Sequence, residues 1–354
     1  MKKLILLFLL LPLTIFTFAQ PPAGYYNAAV GLYGETLQAT LHNIIDNHQV
    51  QSYSSLHTHF EVTDRKSNNT VWDMYSDIPG GTPPYVYHFT SGDQCGNYSR
   101  EGDCYNREHS WPKSWFNNQS PMNSDLFHLY PTDGYVNGKR SNFPFGEVSS
   151  ASWTSKNGSK LGSCSYSGYS GTVFEPIDAY KGDFARTYFY MSTRYYHEDN
   201  GWAGSPMVNG AQLRPWALAM MIKWHEADPV SQKEIDRNNA VYEIQLNRNP
   251  FIDHPEYVAN IWGDPTGIYN IAINRNIRVY PIPATEVCVI DHNGFYDKDK
   301  VRFTLSDVTG KVYHCTYTID EHTLQVDVSS LSHGFYIASI AEDGKSPAYA
   351  RIVK

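Results

Sequence analysis

The 354-residue sequence is short of positive charge, short of cysteine and, beyond its first twenty residues, without any long apolar run. There are 28 Lys and Arg against 36 Asp and Glu, a net charge of -8, which becomes -10 once Lys2 and Lys3 are removed. That balance weighs against a protein that coats nucleic acid by bulk charge. It leaves room for an enzyme that meets a phosphate through a metal ion and a few local cations. The five cysteines, Cys95, Cys104, Cys164, Cys288 and Cys315, follow no zinc-site spacing and are odd in number. No internal repeat or low-complexity tract is present, and the many Tyr and Trp residues argue for a packed core rather than disorder. No segment after residue 19 is long and apolar enough to span a bilayer.

The N-terminus does carry an apolar run. Lys2 and Lys3 precede Leu4 to Ala19, and Thr17-Phe18-Ala19 sets small residues ahead of a cut before Gln20. This is the layout of a cleaved export signal over residues 1–19. A membrane anchor is the alternative, but the run is short and Pro12 interrupts it. Export permits disulfides. Cys95 and Cys104 lie close together on one loop and are the first choice for a bridge; Cys288 with Cys315 is a second candidate pair, leaving Cys164 unpaired.

Helical periodicity covers residues 26–50, 180–197, 213–227 and about 229–246, the last with Pro229 in its first turn. Residues 70–90 read as strand and loop, and 95–147 as a polar, irregular stretch of the kind that carries function. From Tyr269 onward short β-like runs alternate with turns such as Asn293-Gly294, Thr309-Gly310 and His333-Gly334, which predicts a small β-sandwich. The expected fold is α+β: a mainly helical body, then the sandwich.

Within 105–147 three polar groups converge, around Arg107-Glu108-His109, Asp125 to Pro131, and Asn137 to Asn142. Phosphodiester hydrolysis needs a base to take a proton from water, and a neutral His serves. It needs oxygen ligands for a hard divalent ion, such as a carboxylate and an amide. It also needs a cation for the phosphate. His109, Glu108, Asn137 and Arg140 supply one of each, with Arg107 and Lys139 as nearby substrate contacts. Taken singly, each has a plainer reading: a loop histidine, a solvated carboxylate, an Asn-Gly turn, surface charge.

The blocks Tyr105-Asn106-Arg107-Glu108-His109-Ser110-Trp111-Pro112, Asp125 to Asp133, Val136 to Asn142, Lys181 to Met191 and Asn247 to Pro255 together resemble the endonuclease I family of secreted and periplasmic nucleases. The likeness runs over roughly residues 25–262. It implies a ββα-metal (His-Me) finger, His109 as general base, and Glu108 and Asn137 as ligands of one Mg²⁺-like ion, with Ca²⁺ or Mn²⁺ as substitutes. It implies action on DNA, and often RNA, with little sequence preference. Asn137 falls at the family's ligand position, and Asn142 reads as support for the site. Many members have Asn where this chain has His128. The family's further Arg has no counterpart in 113–124, so Arg140 is the candidate for its task. Arg186 is a third candidate substrate contact, although an anchoring ion pair explains it and Glu175 equally well.

Residues 277–354 resemble a type A sorting domain of the type IX secretion system, through Val279 to Thr285, Asp307 to Val312, Val326 to Leu331, His333 to Tyr336 and Ala350 to Lys354. This implies passage through that machinery to the outside or the cell surface. A β-sandwich that binds carbohydrate or steadies the enzyme is the alternative. The expected layout is a signal peptide at 1–19, a catalytic domain at 20–263, a linker at 264–276 and the sorting domain at 277–354. Two rival functions remain: a non-catalytic nucleic-acid binder, motivated by the acidic charge, and a phosphodiesterase for small substrates.

Overall fold

The computed structural model describes residues 21–263, 278–291, 300–307, 311–320, 322–342 and 348–354. The expected signal peptide, the linker and the turns at Asn293-Gly294 and Thr309-Gly310 lie outside these residues. The chain divides into two compact units, Met1–Trp262 and Gly263–Lys354.

The first unit is α+β. Helices α1 (Gly34–Ile45) and α2 (Leu56–Thr63) lead to strand β1 (Tyr105–His109), which pairs antiparallel with β2 (Leu129–Asp133), and β2 runs directly into helix α3 (Gly134–Arg140). A three-stranded antiparallel sheet follows, β3 (Val148–Thr154), β4 (Lys160–Cys164) and β5 (Thr172–Glu175), with β4 in the middle. Then come α4 (Lys181–Arg194), a short hairpin of β6 (Val208–Asn209) and β7 (Gln212–Leu213), and helices α5 (Pro215–Ala227), α6 (Gln232–Gln245), α7 (Pro250–Asp253) and α8 (Tyr257–Trp262).

Helix α4 is the centre of this unit. Every one of its residues is buried, as expected of a helix enclosed on all sides. Phe184, Tyr188, Phe189 and Tyr190 meet Phe145, Trp111, Trp262 and Phe127. Asp125 fastens the turn before β2 to this core: its Oδ2 accepts from the Tyr190 and Tyr195 hydroxyls, and its Oδ1 from Gln245. Arg237 of α6 donates to the carbonyls of Leu126 and Leu129 while paired with Asp64. The ribbon is thereby held from two sides.

Two expectations are corrected here. Helix α6 begins at Gln232, so Pro229 does not sit in its first turn; Ser231 caps it, exchanging bonds with Glu234 in a capping box. Residues 70–90 form turns, with Val71 in a single isolated bridge to Arg65 rather than a strand.

The described residues of the second unit form two four-stranded antiparallel sheets. One is ordered β11 (Val312–Tyr313), β10 (Val301–Asp307), β14 (Phe335–Glu342), β15 (Ala348–Val353); the other β12 (Tyr317–Ile319), β13 (Thr323–Asp327), β9 (Val287–Asp291), β8 (Arg278–Tyr280). Both contribute to one core, through Cys288, Ile290, Leu324 and Val326 from one sheet and Leu305, Ala338, Ile340 and Ile352 from the other. Alternation along β13, in which Leu324 and Val326 are buried and Gln325 and Asp327 exposed, is the period-two pattern of a half-covered sheet. Cys288 and Cys315 are not bonded: Cys288 is sealed in that core and Cys315 only half-buried beside it.

Candidate active site

The start of β1 is clamped. Cys104 is bridged to Cys95, with Cα atoms 5.7 Å apart, and the segment before the loop lies along Tyr105, whose N–H donates to the Asp93 carbonyl. Cys164 is free, as expected. Beyond Tyr105 no other described strand pairs with the outer edge of β1. The end of β2 is set by Asp133, which accepts from Tyr87 and from the Gly102 N–H through Oδ2. Through Oδ1 it caps α3 by accepting from the Val136 N–H at 2.8 Å.

Side chains alternate along β1. Asn106 and Glu108 turn toward α3: Asn106 Oδ1 accepts from the Asn137 amide at 2.7 Å, and Glu108 pairs with Arg140 at 3.1 Å. Arg107 and His109 face Tyr53 instead. The Arg107 guanidinium lies 4.1 Å from the centre of the Tyr53 ring and donates to the Tyr53 carbonyl, while the His109 ring stacks on the same tyrosine at 6.0 Å and 15°.

His109 is held on its remaining sides by Phe116 and His128. Its Nε2 is 3.1 Å from the carbonyl oxygen of Asn123. A carbonyl can only accept, so Nε2 carries the proton and Nδ1 keeps the lone pair. Burial pushes the His109 pKa well below the ordinary value, and the neighbouring His128 pushes it further. The ring is neutral at neutral pH, with its basic nitrogen fixed.

Glu108 is 1% exposed. Its Oε1 accepts from the Tyr75 hydroxyl at 2.8 Å and faces Arg140, while Oε2 has no hydrogen bond among the described residues. Burial raises its pKa; Arg140 and the Tyr75 hydroxyl oppose that rise. Asn137 uses its amide nitrogen on Asn106, which leaves its oxygen free. None of these three acceptors, His109 Nδ1, Glu108 Oε2 and Asn137 Oδ1, is sealed from solvent.

Arg140 is placed differently from the expectation of a phosphate contact. It is 1% exposed, and its guanidinium donates inward to the carbonyls of His109 and Ser110 and lies over the Phe145 ring. Arg186 is likewise turned inward: it is fully buried, bidentate to Glu234 and bonded to the Asp228 carbonyl, as an anchoring ion pair would be. Glu175 is bound by Lys181 and Lys160. Lys139 is half-buried and makes no ion pair among the described residues. Asn142 is exposed. His128 is fully buried and bonded through Nε2 to the Met122 carbonyl, a core histidine.

Tyr53, Tyr75 and the Asn123 carbonyl were not found by sequence reasoning. They come from segments 14 to 56 residues away from the residues they hold, and nothing in those segments marks them. Asn106 lay inside the recognised block, but its bond to Asn137 is a tertiary one. Elsewhere, His42, Asp46 and Glu198 bring potential ligand atoms within 4.8 Å of one another. Arg194 and Asn47 already donate to those two carboxylates.

Comparison with known proteins finds two family matches and a set of similar extracellular nucleases. The family model for Endonuclease I matches residues 33–256, and that for a secretion system C-terminal sorting domain matches residues 278–354. The chain is 34% identical over 248 residues to an extracellular ribonuclease of Bacillus subtilis (strain 168), covering 67% of this chain and 78% of that protein. An extracellular ribonuclease of Bacillus amyloliquefaciens is 35% identical with the same coverage. An extracellular deoxyribonuclease of Aeromonas hydrophila is 29% identical over 134 residues, 37% of this chain and 50% of that protein.

Proposed function

Because this chain belongs to the endonuclease I family, we propose that it is a secreted, metal-dependent endonuclease cutting DNA and RNA with little sequence preference, centred on His109, Glu108 and Asn137. The family makes nucleic acid its substrate, and the C-terminal unit is a sorting domain of the type IX secretion system. The observation that carries the finer reading is the set of three acceptors left over on one β1–β2–α3 unit after every internal bond is counted. On this reading the unit is a ββα-metal finger.

The donor set suits a hard divalent ion. A carboxylate oxygen and an amide oxygen, with room for water, are what Mg²⁺ takes, and Ca²⁺ or Mn²⁺ would be accommodated too. Such an ion, held by Glu108 and Asn137, supplies charge neutralisation at the phosphate and the leaving oxygen. The protein does the rest. His109 Nδ1 accepts a proton from the attacking water, whose oxygen bonds to phosphorus as the bond to the 3′ oxygen breaks; that oxygen takes a proton from solvent. Tyr53, Phe116 and His128 hold the imidazole plane, and the Asn123 carbonyl fixes its tautomer. Glu108 and His109 lie on opposite faces of β1, so the diester straddles the strand's free edge. Arg107 and Lys139 are the cations left to meet phosphate, and Arg140 is a positioning residue behind both Glu108 and His109.

The N-terminal segment is removed at export, and the sorting domain is cleaved or attached at the surface after passage; the masses of the secreted protein's two ends check both. Plasmid digestion with Mg²⁺ tests the enzyme. His109→Ala is expected to lose at least ~100-fold, and a chelator to stop the wild type. Equal activity of the two proteins, or cutting that survives every chelator, would overturn the reading.

A further inference from the structure

Resting on the nuclease reading above, we infer that Tyr98, Tyr135 and Trp153 form a stacking path for the unpaired bases of a single-stranded nucleic acid, leading from Asn137 across α3 onto β3. The path starts in the loop closed by Cys95 and Cys104. Tyr98 of that loop lies along α3 over Gly134 and Gly138: a Cβ at either glycine would come within 2.6 Å of its ring or hydroxyl. A Cβ at Gly134, which Tyr98 covers, would also lie 3.4 Å from the Asn106 amide nitrogen, and Asn106 Oδ1 accepts from Asn137, which brings the first ring toward the proposed ion site. Tyr98 meets Tyr135 edge-on at 6.3 Å and 88°, and Tyr135 meets Trp153 at 6.3 Å and 62°. Lys139 sits above the last two, 5.2 Å from the Tyr135 ring and 6.0 Å from that of Trp153.

Four features point to a polynucleotide. All three rings and Lys139 are half-buried, Trp153 packing against the main core on one side and keeping the rest of its surface open. The hydroxyls of Tyr98 and Tyr135 and the indole N–H of Trp153 have no hydrogen bond among the described residues and are not sealed. Edge-on contacts leave ring faces that do not cover one another, and the Lys139 ammonium lies over only one side of Tyr135 and Trp153. Lys139 has no ion pair and is available for a phosphate between stacked bases. An acidic enzyme gains little from bulk charge, whereas base–aromatic stacking is tolerant of sequence and does not depend on net charge. Successive rings beside an ion site therefore provide affinity where the composition does not. A duplex, whose bases face inward, does not offer the same surfaces.

The test compares a single-stranded oligothymidylate with bis(p-nitrophenyl) phosphate, which is too small to reach beyond the scissile phosphate. Trp153→Ala and Tyr135→Ala are each expected to lower kcat/KM for the strand, relative to the small diester, by roughly tenfold. Trp153→Phe, which keeps a ring face, is expected to recover most of that loss. Binding is read separately in the full-length His109→Ala protein, whose tryptophan fluorescence the strand should quench; adding Trp153→Phe should remove most of the quench. A strand-to-diester ratio within twofold of wild type for both alanine variants, or a quench unchanged without Trp153, overturns the path. Failure of the wild type to cut any nucleic acid overturns the nuclease reading instead, and the quench then decides the path alone.

Discussion

Arg140, in the last turn of α3, donates through Nη1 to the carbonyl oxygen of His109 on β1, 2.9 Å away. The same guanidinium lies 3.1 Å from Glu108 Oε1 and also binds the Ser110 carbonyl. One buried cation thus ties the proposed base, the proposed ion ligand and the end of their strand to the helix that carries Asn137. Arg140→Ala would leave the Glu108 carboxylate buried without its partner. The unfolding free energy is expected to fall by about 3–5 kcal/mol, the usual cost of breaking a buried pair. Urea denaturation measures it, and a loss under 1 kcal/mol would deny Arg140 that role.

With His109 as the proposed base, its depressed pKa sets the acid side expected of the activity profile. A base lowered by burial is already unprotonated at pH 6.5 and gains its proton only in more acid solution. The plot of kcat/KM against pH should therefore stay level down to pH 6.5 and fall below it. An acid limb centred above 6.5 would contradict the buried setting.

Asp73 gives a pH signature in stability. It is buried near Asp133, and burial followed by that like charge pushes its pKa from 3.8 to about 7. A raised folded pKa contributes stability that is complete below 3.8 and lost as pH rises through about 7. Asp73→Asn keeps the acceptor for the Tyr75 N–H and cannot ionise. Its stability relative to wild type should therefore improve steadily from pH 4 to pH 7, followed by thermal or urea unfolding. A flat difference across that range would show that Asp73 is not a neutral acid in the fold.

Ion binding can be read without turnover. Glu108→Gln and Asn137→Ala are each expected to weaken Mn²⁺ binding by at least ~10-fold, since even indirect changes near a metal cost that much. They should also shrink the rise in Tm that Mg²⁺ gives the wild type. Calorimetric titration with an unchanged Kd for both variants would remove these residues from the ion site.

The two units have separate cores, one built around α4 and one between the two C-terminal sheets. A chain ending at Trp262 should therefore unfold cooperatively at the Tm of the catalytic transition in the full protein, and cut nucleic acid at a similar rate. A drop of more than about 3 °C, near the effect of 1 kcal/mol in a domain of this size, would show that the sorting domain contributes to its stability.

Much of the α+β body was legible because its signals are local. The period of Phe184, Tyr188 and Met191 marks α4, and alternation at Leu324 and Val326 marks β13. The site block was legible as a string, from Tyr105 to His109 and on to Asn137. What the string cannot carry is direction. Arg107, Arg140 and Arg186 are the same residue in the sequence, yet Arg107 lies on a tyrosine near the strand edge while the other two are enclosed with Glu108 and Glu234. The sheet of β3 to β5 was missed because β3 is exposed along most of its length and has no apolar alternation. Helix α2, only eight residues long, is too short for its period to stand out.

The inward turning of arginine has a consequence for how the enzyme meets its substrate. Arg140, Arg186, Arg237 and Arg248 are each buried against a carboxylate, which cancels their charge within the molecule. Each such pair removes one charge of either sign, so the excess of 36 Asp and Glu over 28 Lys and Arg remains with the other groups. At long range a polyanion and this surface repel, and dissolved ions shorten the reach of that repulsion to about 10 Å at 0.1 M. Modest salt should therefore speed the first encounter here, whereas for most proteins that grip nucleic acid it loosens the hold.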